Sequence, residues 1–175
     1  MGIDWQARKQ AVDRYTPEIK AYLAAAFIIE SPVRIDENEA TDLMVFDVRP
    51  YRVGCRVRDF WYWKSERFRN QFTVRSSLQS GSKTELSKIL DGWGDFMFYA
   101  FADQASIHIH AAVLLDLRVF RASVELPQIQ YTIETNKDGK SSFHAYQIAS
   151  FPPELVRSKW IRLPSQVNIP VETHA

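Results

Sequence analysis

The chain has 175 residues, 22 lysines and arginines against 21 aspartates and glutamates, and 46% hydrophobic side chains. A formal charge of +1 with 13% aromatics excludes a disordered polyelectrolyte and a nucleic-acid mode that needs a basic whole domain, though not a local cationic stripe. One cysteine, Cys55, excludes an internal disulfide, and no apolar run nears the roughly 18 residues of a membrane helix, so a soluble cytoplasmic protein is expected.

Taken in chain order, Asp4 to Tyr15 reads as a polar helix. Thr16-Pro17-Glu18 then restarts a helix: threonine caps the first amides, proline suits the first turn, and an acid meets the helix dipole. Ile19, Tyr22, Leu23, Ala26 and Phe27 follow helical spacing and predict one buried face. Leu43 to Val48 and Tyr51 to Arg58 are strand-like and, with Arg49-Pro50 between them, predict a hairpin. In its second strand Tyr51, Val53, Cys55 and Val57 alternate with Arg52, Gly54, Arg56 and Arg58, giving a core side and an arginine side. Phe60 to Trp63, followed by Lys64, Arg67 and Arg69, reads as a loop, and Gln71 to Ser76 as a third strand.

Ser82 and Glu85 form a capping-box pattern ahead of a helix whose buried face would be Leu86, Ile89, Leu90 and Trp93, stopped by Gly92 and Gly94. Asp95 to Ala102 and Ile109 to Leu117 are apolar enough for central strands, and Arg118 to Glu125 suits a short helix. Tyr131 to Glu134 and Ser142 to Ile148 flank an Asp-Gly turn and predict a second hairpin; after Pro152-Pro153 the chain reads as irregular. The expected class is α/β (α+β), with a central mixed sheet of about five strands, helices packed on it and a C-terminal hairpin. Residues 1–163 form the expected single domain, with the hairpin an appendage over 128–150 and 164–175 a flexible tail.

Phosphate-binding glycine loops and a serine nucleophile elbow are absent, and His108 with His110 lacks the further ligands of a zinc site. Three places are candidates. Asp42 opens the first strand of the predicted hairpin, opposite Asp59 if apolar sides are matched, while the next helix carries Glu85 and Lys88 three apart on one face. A one-residue slip of the hairpin reverses that facing. The loop Ser80-Gly81-Ser82-Lys83-Thr84 beside Arg75 suits a phosphate, and Arg56 and Arg58 would extend its positive surface. The run containing Trp61 and Trp63 interleaves aromatics with cations, suited to stacking on unpaired bases or to anchoring a protein partner.

This order of helix, three-strand meander, helix and further strand, with Asp42 opening a strand, resembles the PD-(D/E)XK phosphodiesterase superfamily over residues 17–117. The resemblance implies a restriction-endonuclease-like core and a divalent-metal-dependent cleavage of DNA, with Asp42 at the family's metal-binding aspartate. The family's acidic-x-lysine motif is missing, since Arg56-Val57-Arg58 stands there. Members in which those groups move to the following helix nominate Glu85 and Lys88. The expectation that follows is a magnesium ion held by Asp42 with Glu85 or Asp59, and Lys88 facing developing phosphate charge. Arg56, Arg58, Arg75, Lys83, Trp61 and Trp63 would contact nucleic acid, DNA ahead of RNA. The alternative is a catalytically inactive binding or inhibitor protein of phage type, engaging nucleic acid or a host protein through its aromatic-basic segment. A third reading is an assembly subunit that oligomerises through exposed aromatics.

Overall fold

A computed structural model describes residues 12–30, 43–45 and 51–162. Asp42, residues 4–11, strand positions 46–48 and the tail 164–175, on which expectations were placed above, lie outside them. In chain order the elements are α1 (Thr16–Phe27), β1 (Ile28–Glu30), β2 (Leu43–Val45), β3 (Val53–Arg58), α2 (Phe60–Lys64), α3 (Glu66–Arg69), β4 (Gln71–Leu78), α4 (Glu85–Leu90), β5 (Phe96–Ala102), β6 (Ile109–Asp116), α5 (Leu117–Ser123), β7 (Tyr131–Thr135), β8 (Ser141–Gln147) and β9 (Val156–Ile161). The class is α/β, as the composition of the elements predicts.

The strand Phe96-Met97-Phe98-Tyr99-Ala100-Phe101-Ala102 is buried at every position, so both of its faces need cover. It lies inside a mixed four-stranded sheet of order β3-β5-β6-β9. On one face Phe98, Ala100 and Leu114 pack with Ile19 and Tyr22 of α1. On the other, Met97, Tyr99, Val113 and Leu115 pack with Phe72 and Tyr146 of a second sheet and with Phe120 of α5. That second sheet is antiparallel, in the order β4-β8-β7. The predicted hairpin therefore exists, but it is completed by β4 and supplies Tyr146 to the core instead of hanging from it.

Local adjacency misled the reading of β3. The expected hairpin partner, β2, pairs antiparallel with β1, while β3 runs parallel to β5 from Val53 opposite Phe96 to Arg58 opposite Phe101. Arg52 helps to fix that register: its backbone N–H donates to Asp95 Oδ2 at 2.8 Å and its guanidinium donates to the Gly92 carbonyl at 3.2 Å. The backbone bond most of all, with Arg52 Nε donating to the same oxygen at 3.3 Å, holds the Asp95 carboxyl below its ordinary 3.8. The alternation along β3 is as expected, with Val53 and Val57 on the α1 side. The arginine side is only partly a solvent face: Arg52 is exposed, whereas Arg56 is covered by β4 of the second sheet. Cys55 is at the surface, not in the core.

Three further expectations need correction. Phe60 to Lys64 is a helical turn, not a loop; its aromatics favour strands intrinsically, and packing of Tyr62 and Trp63 against the core overrides that preference. The cap of α4 is Thr84, whose Oγ1 accepts from the Ser87 N–H at 3.1 Å, so Ser82 lies outside the helix and Glu85 is its first residue. The helix then stops before Gly92 (φ +89°) and Gly94 (φ +80°), which leaves Leu90 and Trp93 exposed. Beyond the two prolines the chain is not irregular: β9 joins the four-stranded sheet along β6.

Candidate functional site

Where β3 and β5 end, the short helices α2 and α3 turn back over the second sheet and enclose a cavity of about 240 Å³. It is lined by Trp61, Tyr62 and Phe68 of the two helices, by Tyr99 and Phe101 of β5, and by Phe143 and Ala145 of β8. The aromatic wall is internally braced: Trp61 and Tyr62 have ring centroids 4.1 Å apart, and both rings meet Phe68 at 5.5 Å. Arg58 lays its guanidinium on the Tyr62 ring, 3.8 Å from the centroid, and lines the cavity. Lys137, in the turn between β7 and β8, lines it too. An ion pair between Arg67 of α3 and Glu134 of β7 ties helix to hairpin across the mouth.

A polar strip crosses the floor. Arg56 donates Nη1 to the Thr73 carbonyl at 2.5 Å and to Thr73 Oγ1 at 2.9 Å, and Nη2 to Glu85 Oε2 at 2.5 Å. The same carboxylate oxygen accepts the Arg75 backbone N–H at 3.0 Å. Thr73 Oγ1 lies 3.3 Å from the Tyr99 hydroxyl. A chain of four side chains thus joins α4, β3, β4 and β5 underneath the cavity. Gln71, the first residue of β4, is buried beside it and lines the cavity.

On the other side of Trp61 is a second, open hollow, lined also by Asp59, Phe60, Lys64, Gln104 and Ser106. Its loop wall is held in shape by Asp103, whose carboxylate accepts the Ile107 N–H at 2.9 Å, and by Tyr15, whose hydroxyl donates to the Ser106 carbonyl at 3.0 Å. Trp61 is 55% exposed and stands between the two hollows.

The residues nominated from sequence divide accordingly. Arg58 and Trp61 meet at the cavity. Trp63 is half-buried and packs on Phe101 and His110, at 5.4 and 5.3 Å between centroids, so it serves the core. Arg56 points inward to Thr73 and Glu85. Lys83 is on the outside of its loop, bonded to Asp91 at 2.6 Å, and Lys88 is exposed on α4. Arg75 is joined to Glu85 through its backbone. Asp59 occupies the N-cap position of α2. Among the described residues no three His, Cys, Asp or Glu side chains gather as a metal site. Glu85 Oε2 already receives a guanidinium and a backbone amide, which is how a carboxylate is satisfied by protein and not by magnesium.

Sequence reasoning missed Gln71, Tyr99, Phe143 and Lys137. They come from three strands and a turn far apart in the chain, and only the register of the two sheets brings them together. Among the described residues no helix is long and apolar enough to cross a membrane. No protein-family model, curated protein or solved structure matches this chain.

Proposed function

We propose that this is a single-strand nucleic-acid-binding protein whose contact face is the aromatic-basic segment α2–α3 and the two hollows beside it. The observation that carries the reading is Trp61: a large exposed ring between two hollows, with Arg58 and Lys137 at one and Lys64 at the other. Successive bases stack on such rings while cations meet the phosphates between them, without any need for a basic whole domain. A duplex would not fit this use of the ring, since its bases are already stacked. Binding without cleavage is the form proposed, because the Glu85 carboxylate is already engaged by Arg56 and by the Arg75 backbone amide.

The test is fluorescence anisotropy of a labelled single-stranded oligonucleotide across a salt series. Three cations at the hollows predict a log–log slope of roughly −2, from about −0.7 per phosphate on a single strand. A DNA strand and its RNA counterpart are titrated in parallel, DNA being expected to bind the tighter. No binding at low salt overturns the proposal and leaves a protein partner as the occupant of this face. Nicking of plasmid with magnesium or manganese, lost in Asp42→Ala, would overturn the binding-only form and favour a phosphodiesterase.

A further inference from the structure

Gln71 is 3% exposed, yet among the described residues its side-chain amide has no hydrogen-bond partner, while it lines the aromatic cavity. Its backbone is accounted for in the pairing with Gln147, so the side chain alone is left over. An amide that lines a cavity without a protein partner has its donor and acceptor open to whatever enters. A second proton is also unspent there. Thr73 Oγ1 receives Arg56 and lies 3.3 Å from the Tyr99 hydroxyl; whichever of the two hydroxyls donates, the other keeps its proton.

We infer that the cavity takes one unpaired nucleobase, with the Gln71 amide bonded to its edge. The inference rests on the nucleic-acid reading above and names what that site recognises. The lining is rich in aromatic rings, Trp61, Tyr62 and Phe143 among them, which suits a flat heterocycle. A volume of about 240 Å³ is below the roughly 300–1,000 Å³ of sites for drug-sized ligands, and suits a single ring system with its sugar and phosphate outside. Arg58 and Lys137 are placed at the cavity for that phosphate. The amide oxygen accepts a ring N–H and the amide nitrogen donates to a carbonyl of the base, an edge that thymine presents through N3–H and O4. A purely apolar ring of the same shape would stack equally well but leave Gln71 unbonded.

That difference is the experiment. The full chain is titrated with an abasic DNA backbone carrying one central thymine, with the same backbone carrying difluorotoluene, its non-hydrogen-bonding shape mimic, and with an ordinary oligonucleotide. The wild-type protein is expected to prefer thymine to the mimic by about tenfold, the order given by a good bidentate base contact. Gln71→Leu is expected to erase that preference while still binding the mimic. Equal affinity of the wild type for thymine and mimic overturns the inference and needs no variant, so a misfolded substitution cannot obscure it. In that case binding of the ordinary oligonucleotide leaves the broader nucleic-acid reading standing. Failure of all three ligands to bind overturns both.

Discussion

Arg56 illustrates how a residue read as surface cation became an interior tie. The alternation along β3 correctly put it on the side opposite Val53 and Val57, but periodicity reports sides of a strand and not what covers them. Its side chain is 23% exposed, and its guanidinium spends donors on Thr73 and Glu85. Glu85, chosen from sequence for its spacing to Lys88, is thereby a structural carboxylate of the same network. Removing the arginine strands a half-covered carboxylate with one backbone donor left. Arg56→Ala is expected to cost about 1–2 kcal/mol in urea unfolding, the low end for an unsatisfied group because the pair is partly solvated. A double-mutant cycle with Glu85→Ala should return a coupling of at least about 0.5 kcal/mol. A coupling of zero would mean that the two side chains do not depend on each other.

Elements were legible where burial and pattern agree. The continuous apolar runs of β5 and β6 and the Asp-Gly hairpin β7–β8 are where the sequence indicates them. What failed was pairing and cover. The helix α2 is written in strand-forming aromatics, and β9, whose exposure alternates along an outer position in its sheet, follows two prolines that suggest an end. The sheets also carry a pH dependence that no single segment announces. His110 on β6 sits edge-on to Phe60 and Trp63, and His144 on β8 stacks on Tyr131 with 4.5 Å between centroids. Burial lowers both imidazoles from their ordinary 6.5. Burial likewise pushes the Tyr146 phenol up to about 12, so it stays protonated beside His144 Nδ1, with which it shares a hydrogen bond of 3.0 Å. Below pH 6.5 the unfolded chain therefore takes up protons that the folded sheets resist. Stability should be constant from pH 8 to 7 and decline as pH falls from 6.5 towards 5, above the range in which Asp95 and Asp116 titrate. Urea midpoints at those pH values check this, and His144→Gln should flatten part of the decline. A midpoint unchanged between pH 7.5 and 5 would contradict it.

At the scale of the molecule, the four-stranded sheet is the fixed middle layer. Helix α1 closes one face, and the second sheet with α5 closes the other. Function is expected where this stack is incomplete, at the strand ends under α2 and α3. The sequence named the aromatic-basic run as a contact surface but could not say which rings turn outward, since that depends on a helix it did not foresee. Trp63 turned in, and Trp61 stayed out.

The most direct measurement is the affinity of Trp61→Ala for a short single-stranded oligonucleotide, beside the wild type and Lys83→Ala. Loss of one stacking ring is expected to weaken binding by about 5- to 150-fold, the range of about 1–3 kcal/mol per stacked base. Lys83→Ala, whose cation is held by Asp91, is expected to bind within about twofold of wild type, as for an exposed charge outside the contact face. Wild-type affinity in the Trp61 variant would contradict the account.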